Sequence, residues 1–227
     1  RSSDPRRSAQ RFDRRFAMTA EAFYRLLDGL IARAHAPWDL WDFTPRLHPV
    51  FFLHRVEGLE PGLYALPRHP TAIRSLRQAL RPDFLWQTPD NAPAHLPFFR
   101  LLQADCRALA RTLNCQQAIA SDSCFSLSML GEFEPAIRAN ARDYRRLHWE
   151  AGILGQVLYL EAQAAGLGGT GIGCYFDDAV HSVLGINTPQ FQALYGFTVG
   201  RPLADDRITT LPAYPGRQET PAEEEIE

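Results

Sequence analysis

The stretch from Leu147 to Asp178, LHWEAGILGQVLYLEAQAAGLGGTGIGCYFDD, limits the fold more than any other part of the chain. Apolar residues recur at Leu147, Ala151, Leu154, Leu158, Ala162 and Ala165, the spacing of one helix face. A second stripe, Trp149, Ile153, Val157, Leu160 and Ala164, covers much of the opposite side. A helix apolar on two sides is buried, either in a core or against a partner. Gly152 and Gly155 lie one turn apart, where bare backbone admits another backbone or a flat ligand. The helix then runs into five glycines within eight residues, Gly166 to Gly173. The pattern predicts a glycine-rich loop at the end of a buried scaffold helix, a favourable position for a ligand.

Gly166, Gly168 and Gly171 satisfy G-x-G-x-x-G, but the dinucleotide fingerprint needs a strand before its glycines and a helix opening after them. Here a helix precedes them, so a dinucleotide fold is excluded. Capping and turning a chain takes one or two glycines. Five point to backbone in close approach to something.

The chain has 227 residues, 45% hydrophobic and 22% charged, with a formal net charge of -2, which fits a globular domain with a substantial core. Near-neutral charge gives no drive toward nucleic acid or anionic membrane. No apolar run approaches the roughly 20 residues of a membrane span. Cys106, Cys115, Cys124 and Cys174 show no C-x-x-C spacing, which predicts reduced thiols in a cytoplasmic protein and no metal site.

Thr19 is placed to cap a helix with Phe23, Leu26, Leu27, Leu30, Ile31 and Ala34 on its apolar face. Pro37 to Pro49 reads as a broken connection, Val50–Leu53 and Leu63–Leu66 as strands about the Glu60-Pro61-Gly62 turn. A short helix is expected near Ile73–Leu80, a helix over Leu101–Leu113 and a strand over Phe125–Leu130. Asp177 or Asp178 would cap a short helix through Leu184, and Phe191–Val199 reads as a strand or a helix-to-strand segment. His54, His148 and His181 stand apart from one another in sequence, as structural histidines do. No G-x-S-x-G elbow or H-E-x-x-H motif occurs.

Arginines crowd the start of the chain at Arg1, Arg6, Arg7, Arg11, Arg14 and Arg15. They read as a solvated basic arm or as a phosphate site, since guanidinium groups bind phosphate oxygens in pairs and Ser8 adds a hydroxyl. A nucleic-acid surface would need interleaved aromatics and a basic chain.

Four passages together resemble the FMN-dependent nitroreductase superfamily, and within it the SagB-type dehydrogenase branch that includes azoline-oxidising enzymes. They are Arg6-Arg7-Ser8-Ala9-Gln10-Arg11-Phe12, the segment His54–Leu66, the helix with its glycines, and Phe197–Pro215. The resemblance implies an α+β fold with a central antiparallel sheet, flanking helices and a long buried dimer helix. Without internal repeats the chain reads as one domain over residues 1–215, and the charge run Glu223-Glu224-Glu225 predicts an acidic, disordered tail at 216–227. The resemblance implies that Arg6, Arg7 and Ser8 hold the FMN phosphate, that Gly171, Ile172 and Gly173 run beside the flavin ring, and that Arg207 is a second phosphate ligand. The ordinary alternative for Arg207 is a surface ion pair with Asp205 or Asp206. Gln10 stands where the family usually carries a basic residue.

Two further departures mark this chain. Thr44–His48 lacks the Ser-Gly pair common in the branch, and Arg138-Ala139 stands where azoline-oxidising members tend to carry Lys-Tyr. The resemblance therefore implies an FMN-dependent oxidoreductase using NAD(P)H by a ping-pong scheme. The partner is a second copy of the chain, or a second such domain in a longer chain, a possibility that fits a sequence opening at Arg1 without Met. A small molecule or a peptide is the substrate. The alternatives are a degenerate domain serving as a scaffold and an azoline dehydrogenase acting on a modified peptide.

Overall fold

The computed structural model describes residues 7–40, 44–205 and 207–209. Among these, six strands form one antiparallel sheet: β1 (Leu47–Leu53), β2 (Gly62–Ala65), β3 (Phe99–Gln103), β4 (Phe125–Glu132), β5 (Gly168–Ile172) and β6 (Phe191–Gly200). Their spatial order is β3-β2-β1-β4-β6-β5. The sheet is flanked by α1 (Ala20–Leu30), α2 (Pro70–Ala79), α3 (Arg107–Leu113), α4 (Ala118–Asp122), α5 (Phe133–Ala139), α6 (Asp143–Ala164) and α7 (Asp177–Leu184). The expected α+β architecture is present.

Strand β1 is buried along its whole length because both faces of the sheet are covered. Successive strand residues point to opposite faces. Phe51 and Leu53 accordingly join a core with Phe23, Leu27, Phe125, Leu154 and Phe197, under α1 and α6. Val50 and Phe52 join a second core with Leu76, Ala110, Leu113, Ile172 and Leu184, under α2, α3 and α7. The strand begins at Leu47, earlier than Pro49 led the sequence reading to place it. The carbonyl of Pro49 accepts from Leu66 N–H at 2.9 Å on the β2 side, where β2 has already ended. The N–H that proline lacks lies on that same side, beyond the end of β2, so the ladder with β4 is left intact.

Helix α1 starts as expected, with Thr19 Oγ1 accepting from Ala22 N–H at 3.2 Å, but it ends at Leu30 before Ile31 and Ala34. In α6, Leu147, Ala151, Leu154, Leu158 and Ala162 face the core. The second stripe is only partly buried within the chain: Val157 lies in the core and Ile153 packs against it, but Trp149 is 56% and Leu160 44% exposed. Gly155 packs against the Phe197 ring, whereas nothing approaches Gly152.

A buried ion pair joins α6 to the sheet. Arg68 and Glu150 contact each other with both side chains fully buried. Arg68 also donates to the carbonyls of Leu30 at 2.7 Å and Leu47 at 3.1 Å, and its guanidinium lies 4.5 Å from the Trp38 ring centre. Glu150 accepts from the backbone N–H groups of Arg46 and Leu47. Charges taken out of water persist only when paired and hydrogen-bonded in this way.

Four expectations are corrected. Leu101–Leu113 is not one helix; Phe99–Gln103 pairs with β2, and the helix begins at Arg107. A short apolar run does not distinguish the two states by periodicity. The glycine segment is not a loop but the edge strand β5, paired with β6. The thiols are not all reduced: Cys115 and Cys174 form a disulfide with Cα atoms 5.9 Å apart, while Cys106 and Cys124 are free and buried. The two bridged cysteines are 59 residues apart and meet only because β5 exits beside the α3–α4 turn. Neither Asp177 nor Asp178 is the cap of α7; Phe176 holds that position. The acidic tail lies outside the described residues.

Candidate functional site

The N-terminal segment runs along the outer edge of β5. An edge strand carries an unpaired row of backbone groups that must find partners. Ala9 N–H donates to Gly169 O at 3.1 Å, and Thr170 Oγ1 donates back to Ala9 O at 2.7 Å. Gly171 N–H donates to the Tyr159 hydroxyl of α6 at 3.0 Å. That hydroxyl lies 2.7 Å from Ser8 Oγ. Sequence segments predicted separately as cofactor elements therefore meet on one tyrosine.

Arg7, Ser8, Gln156 and Tyr159 line a cavity of about 360 Å³. Gln156 also lines an adjoining groove of about 490 Å³, walled by Ile31, Pro37, Trp38, Ile153, Val157 and Leu160. Both open on the exposed side of α6.

The predicted site residues divide. Arg7 and Ser8 are exposed at the cavity beside Gly171. Arg6 lies outside the described residues. Gln10 is directed away, into a separate cleft of about 640 Å³ with Arg11, Arg14 and Arg15. Ile172 is on the strand, but its side chain is buried in the second core. Arg207 is held by Asp205 through two hydrogen bonds of 2.8 and 2.6 Å, the surface-pair alternative, and this contact keeps the Asp205 carboxyl below its ordinary range.

The close approach implied by the glycines is to the chain's own rings. A side chain at Gly169 would meet the Phe197 ring at 2.8 Å, and one at Gly171 would collide with the Tyr195 hydroxyl. Gly173 differs: nothing lies within 4 Å of the position its side chain would take. It is the member of the trio with space for a ligand.

Tyr159 and Gln156 were missed because a residue 151 positions from Ser8 carries no local signal of the contact. Arg138 is exposed and pairs with Glu134 at 2.7 Å. Among the described residues, no group of three or more His, Cys, Asp or Glu side chains is placed to hold a metal ion, and no helix is long and apolar enough to cross a membrane.

Comparison with known proteins gives a consistent result. The profile of the nitroreductase family matches residues 72–201. A candidate nitroreductase of Anabaena variabilis is 26% identical, with a TM-score of 0.64; the match covers 87% of this chain and 37% of that one. The present chain thus spans little more than a third of that protein's length. A candidate nitroreductase of Ralstonia eutropha is 15% identical with a TM-score of 0.56, covering 88% of this chain and 80% of that one. A chain of the Escherichia coli microcin synthetase McbBCD complex, solved with truncated pro-MccB17 bound, shares the fold at 16% identity and a TM-score of 0.60; the match covers 90% of this chain and 71% of that one. No curated protein sequence matches significantly.

Proposed function

This chain belongs to the nitroreductase family, and on that premise we propose that it is an FMN-dependent oxidoreductase that moves a hydride from NAD(P)H to an electron-poor acceptor in two half-reactions. One observation carries the reading: Arg7 and Ser8 stand at an open cavity and are tied through Tyr159 to the glycine strand.

One link of that chain of hydrogen bonds has its direction fixed by the donor. Gly171 N–H can only donate, so Tyr159 Oη accepts from it. In the Tyr159–Ser8 contact either hydroxyl can donate; with the tyrosine donating, the serine proton is free for a further acceptor. Each link polarises the next. The far end, beside the exposed Arg7 guanidinium, suits a phosphate oxygen. The residues present fit the terminal phosphate of FMN at this end, and Arg6 is assigned as a further ligand by resemblance. Bound FMN would supply two-electron chemistry between donor and acceptor.

At the ring end the assignment narrows. Gly171 has committed its N–H to Tyr159, and Ile172 is buried, so Gly173 is the residue we assign to contact the ring. Gln10 faces another cleft and leaves the ligand set. Arg207 would have to release Asp205 to join it.

We assign one domain to the chain and a second copy, or a second such domain, as the cover of the exposed α6 face. A small molecule or peptide is the substrate class. The SagB-type role, including azoline oxidation, rests on resemblance alone. The non-catalytic reading draws on two observations: Gly171 N–H and Arg207 both already have partners within the chain.

The deciding experiment is an absorption spectrum of the protein after incubation with FMN and desalting. A retained flavin that NADH or NADPH bleaches, and that a quinone or nitroarene restores, supports the enzyme. Retained flavin that neither donor bleaches favours the non-catalytic domain, and no retained flavin overturns the reading.

A further inference from the structure

Strand β5 ends at Ile172, and Cys174 follows Gly173 on an exposed stretch of backbone. Its disulfide partner, Cys115, lies in the turn between α3 and α4. Cys115 and Gln116 both adopt left-handed backbone conformations, with φ of 54° and 60°. Such conformations are unfavourable for residues with a side chain and persist where the surroundings enforce them. The turn that holds them is closed by Gln117 N–H donating to Asn114 O at 3.1 Å and Arg111 Nε donating to Gln116 O at 3.1 Å, with the bridge attached at Cys115.

The same two segments are also joined without sulfur. Phe176 N–H donates to Leu113 O at 2.8 Å, and Gln117 Nε2 donates to Cys174 O at 3.2 Å. After reduction these bonds would keep the two thiols near each other, so a small-molecule disulfide can restore the bridge by the reverse exchange, itself leaving as a dithiol. The other cysteines do not compete for it. Cys106 and Cys124 are buried, and burial pushes both thiols up to about 11, where the reactive thiolate is scarce. Cys174 is exposed and Cys115 half-buried, so the bridge can be attacked from the Cys174 side, and disulfides open to solvent are the reducible ones.

We propose that Cys115–Cys174 is a reversible redox latch on the exit of β5, pinning the Gly173–Tyr175 backbone when oxidised and loosening it, with its hold on a bound ligand, when reduced. The ligand clause rests on the flavin reading above. The reductant is an external dithiol. Its thiolate attacks Cys174 sulfur; the protein S–S bond breaks, and Cys115 leaves and takes a proton. The second thiol of the reductant then attacks the mixed disulfide and releases Cys174, which is protonated in turn. Two electrons enter the protein, and the dithiol departs as a disulfide.

The test uses the whole folded chain, titrated with dithiothreitol and then alkylated. Peptide mass mapping should show labels on Cys115 and Cys174 and none on Cys106 or Cys124. Amide hydrogen exchange at residues 173–175 should quicken on reduction and in Cys174→Ser. FMN should bind the reduced form about 5-fold or more weakly, the lower end of ordinary site coupling. Reciprocally, FMN should raise the dithiol ratio needed for half-reduction by the same factor. A bridge that resists dithiothreitol until the protein unfolds overturns the latch, as does reduction that leaves exchange unchanged. Equal FMN affinity in the two states overturns its coupling to the ligand. If neither state binds FMN, the flavin reading fails, and the exchange measurement alone decides the latch.

Discussion

The hydroxyl of Tyr159 lies 2.7 Å from Ser8 Oγ and, on its other side, accepts the N–H of Gly171 at 3.0 Å. The long helix thus aligns the N-terminal segment with the glycine strand. If Ser8 presents its proton to a phosphate, Ser8→Ala should weaken FMN binding by about 1.5–3 kcal/mol, the scale of a hydrogen bond to a charged group. Tyr159→Phe, which only relays polarity, should cost about 0.5–1.5 kcal/mol. Fluorescence titration of FMN measures both. Unchanged affinity in both variants, with Arg7→Ala equally silent, returns the arginines to a solvated basic arm.

The glycines of β5 should separate by role. Gly171→Val forces a side chain against Tyr195, so chemical denaturation should show a loss of about 1–3 kcal/mol, typical of overpacking. Gly173→Val meets open space and should leave stability near that of the parent while reducing FMN binding. A Gly173 variant that binds FMN normally removes that residue from the site.

Glu150→Gln leaves the Arg68 charge buried without its counter-charge. A loss of about 3–5 kcal/mol is expected in urea unfolding, the usual cost of breaking a buried pair. The paired replacement Arg68→Met with Glu150→Leu should cost less than Glu150→Gln alone, since it buries no lone charge. Equal costs would mean that the surrounding backbone bonds, not the charges, dominate.

Burial pushes the His54 imidazole down to about 4, and its Nε2 donates to Ala120 O at 2.9 Å. An unfolded histidine titrates near ~6.5. Below that pH the unfolded chain binds a proton that the native chain refuses. Stability is therefore complete above pH ~6.5 and falls toward pH 4 by up to about 1.4 kcal/mol per unit. His48, also lowered by burial, acts in the same direction. Urea midpoints at pH 7 and pH 5 should converge more closely in His54→Gln than in the parent, and parallel curves would refute the assignment.

The exposed face of α6 should govern assembly. Trp149→Glu and Leu160→Glu leave the core untouched and should yield a folded monomer in light scattering if that face meets a second copy. Leu154→Glu and Leu158→Glu, both fully buried, should instead prevent folding. A parent chain that is already monomeric, with flavin bound, excludes a site shared between copies.

Periodicity in the sequence determined α1 and α6, because a buried helix face must repeat every three or four residues, and Thr19 marked the cap by local chemistry. The glycine density of 166–173 announced close packing, but not with what. The nearest rings, Phe197 and Tyr195, are set by the register of β5 against β6, a long-range pairing with no local signature. Arg7 and Ser8 could be proposed from their residue types and the family resemblance, whereas the contact of Ser8 with Tyr159 could not, since helix packing alone carries that tyrosine to it. The Cys115–Cys174 bridge and the Arg68–Glu150 pair were equally out of reach. Their partners are brought together by the strand order of the sheet and its two covering layers, and a one-dimensional pattern does not contain that arrangement.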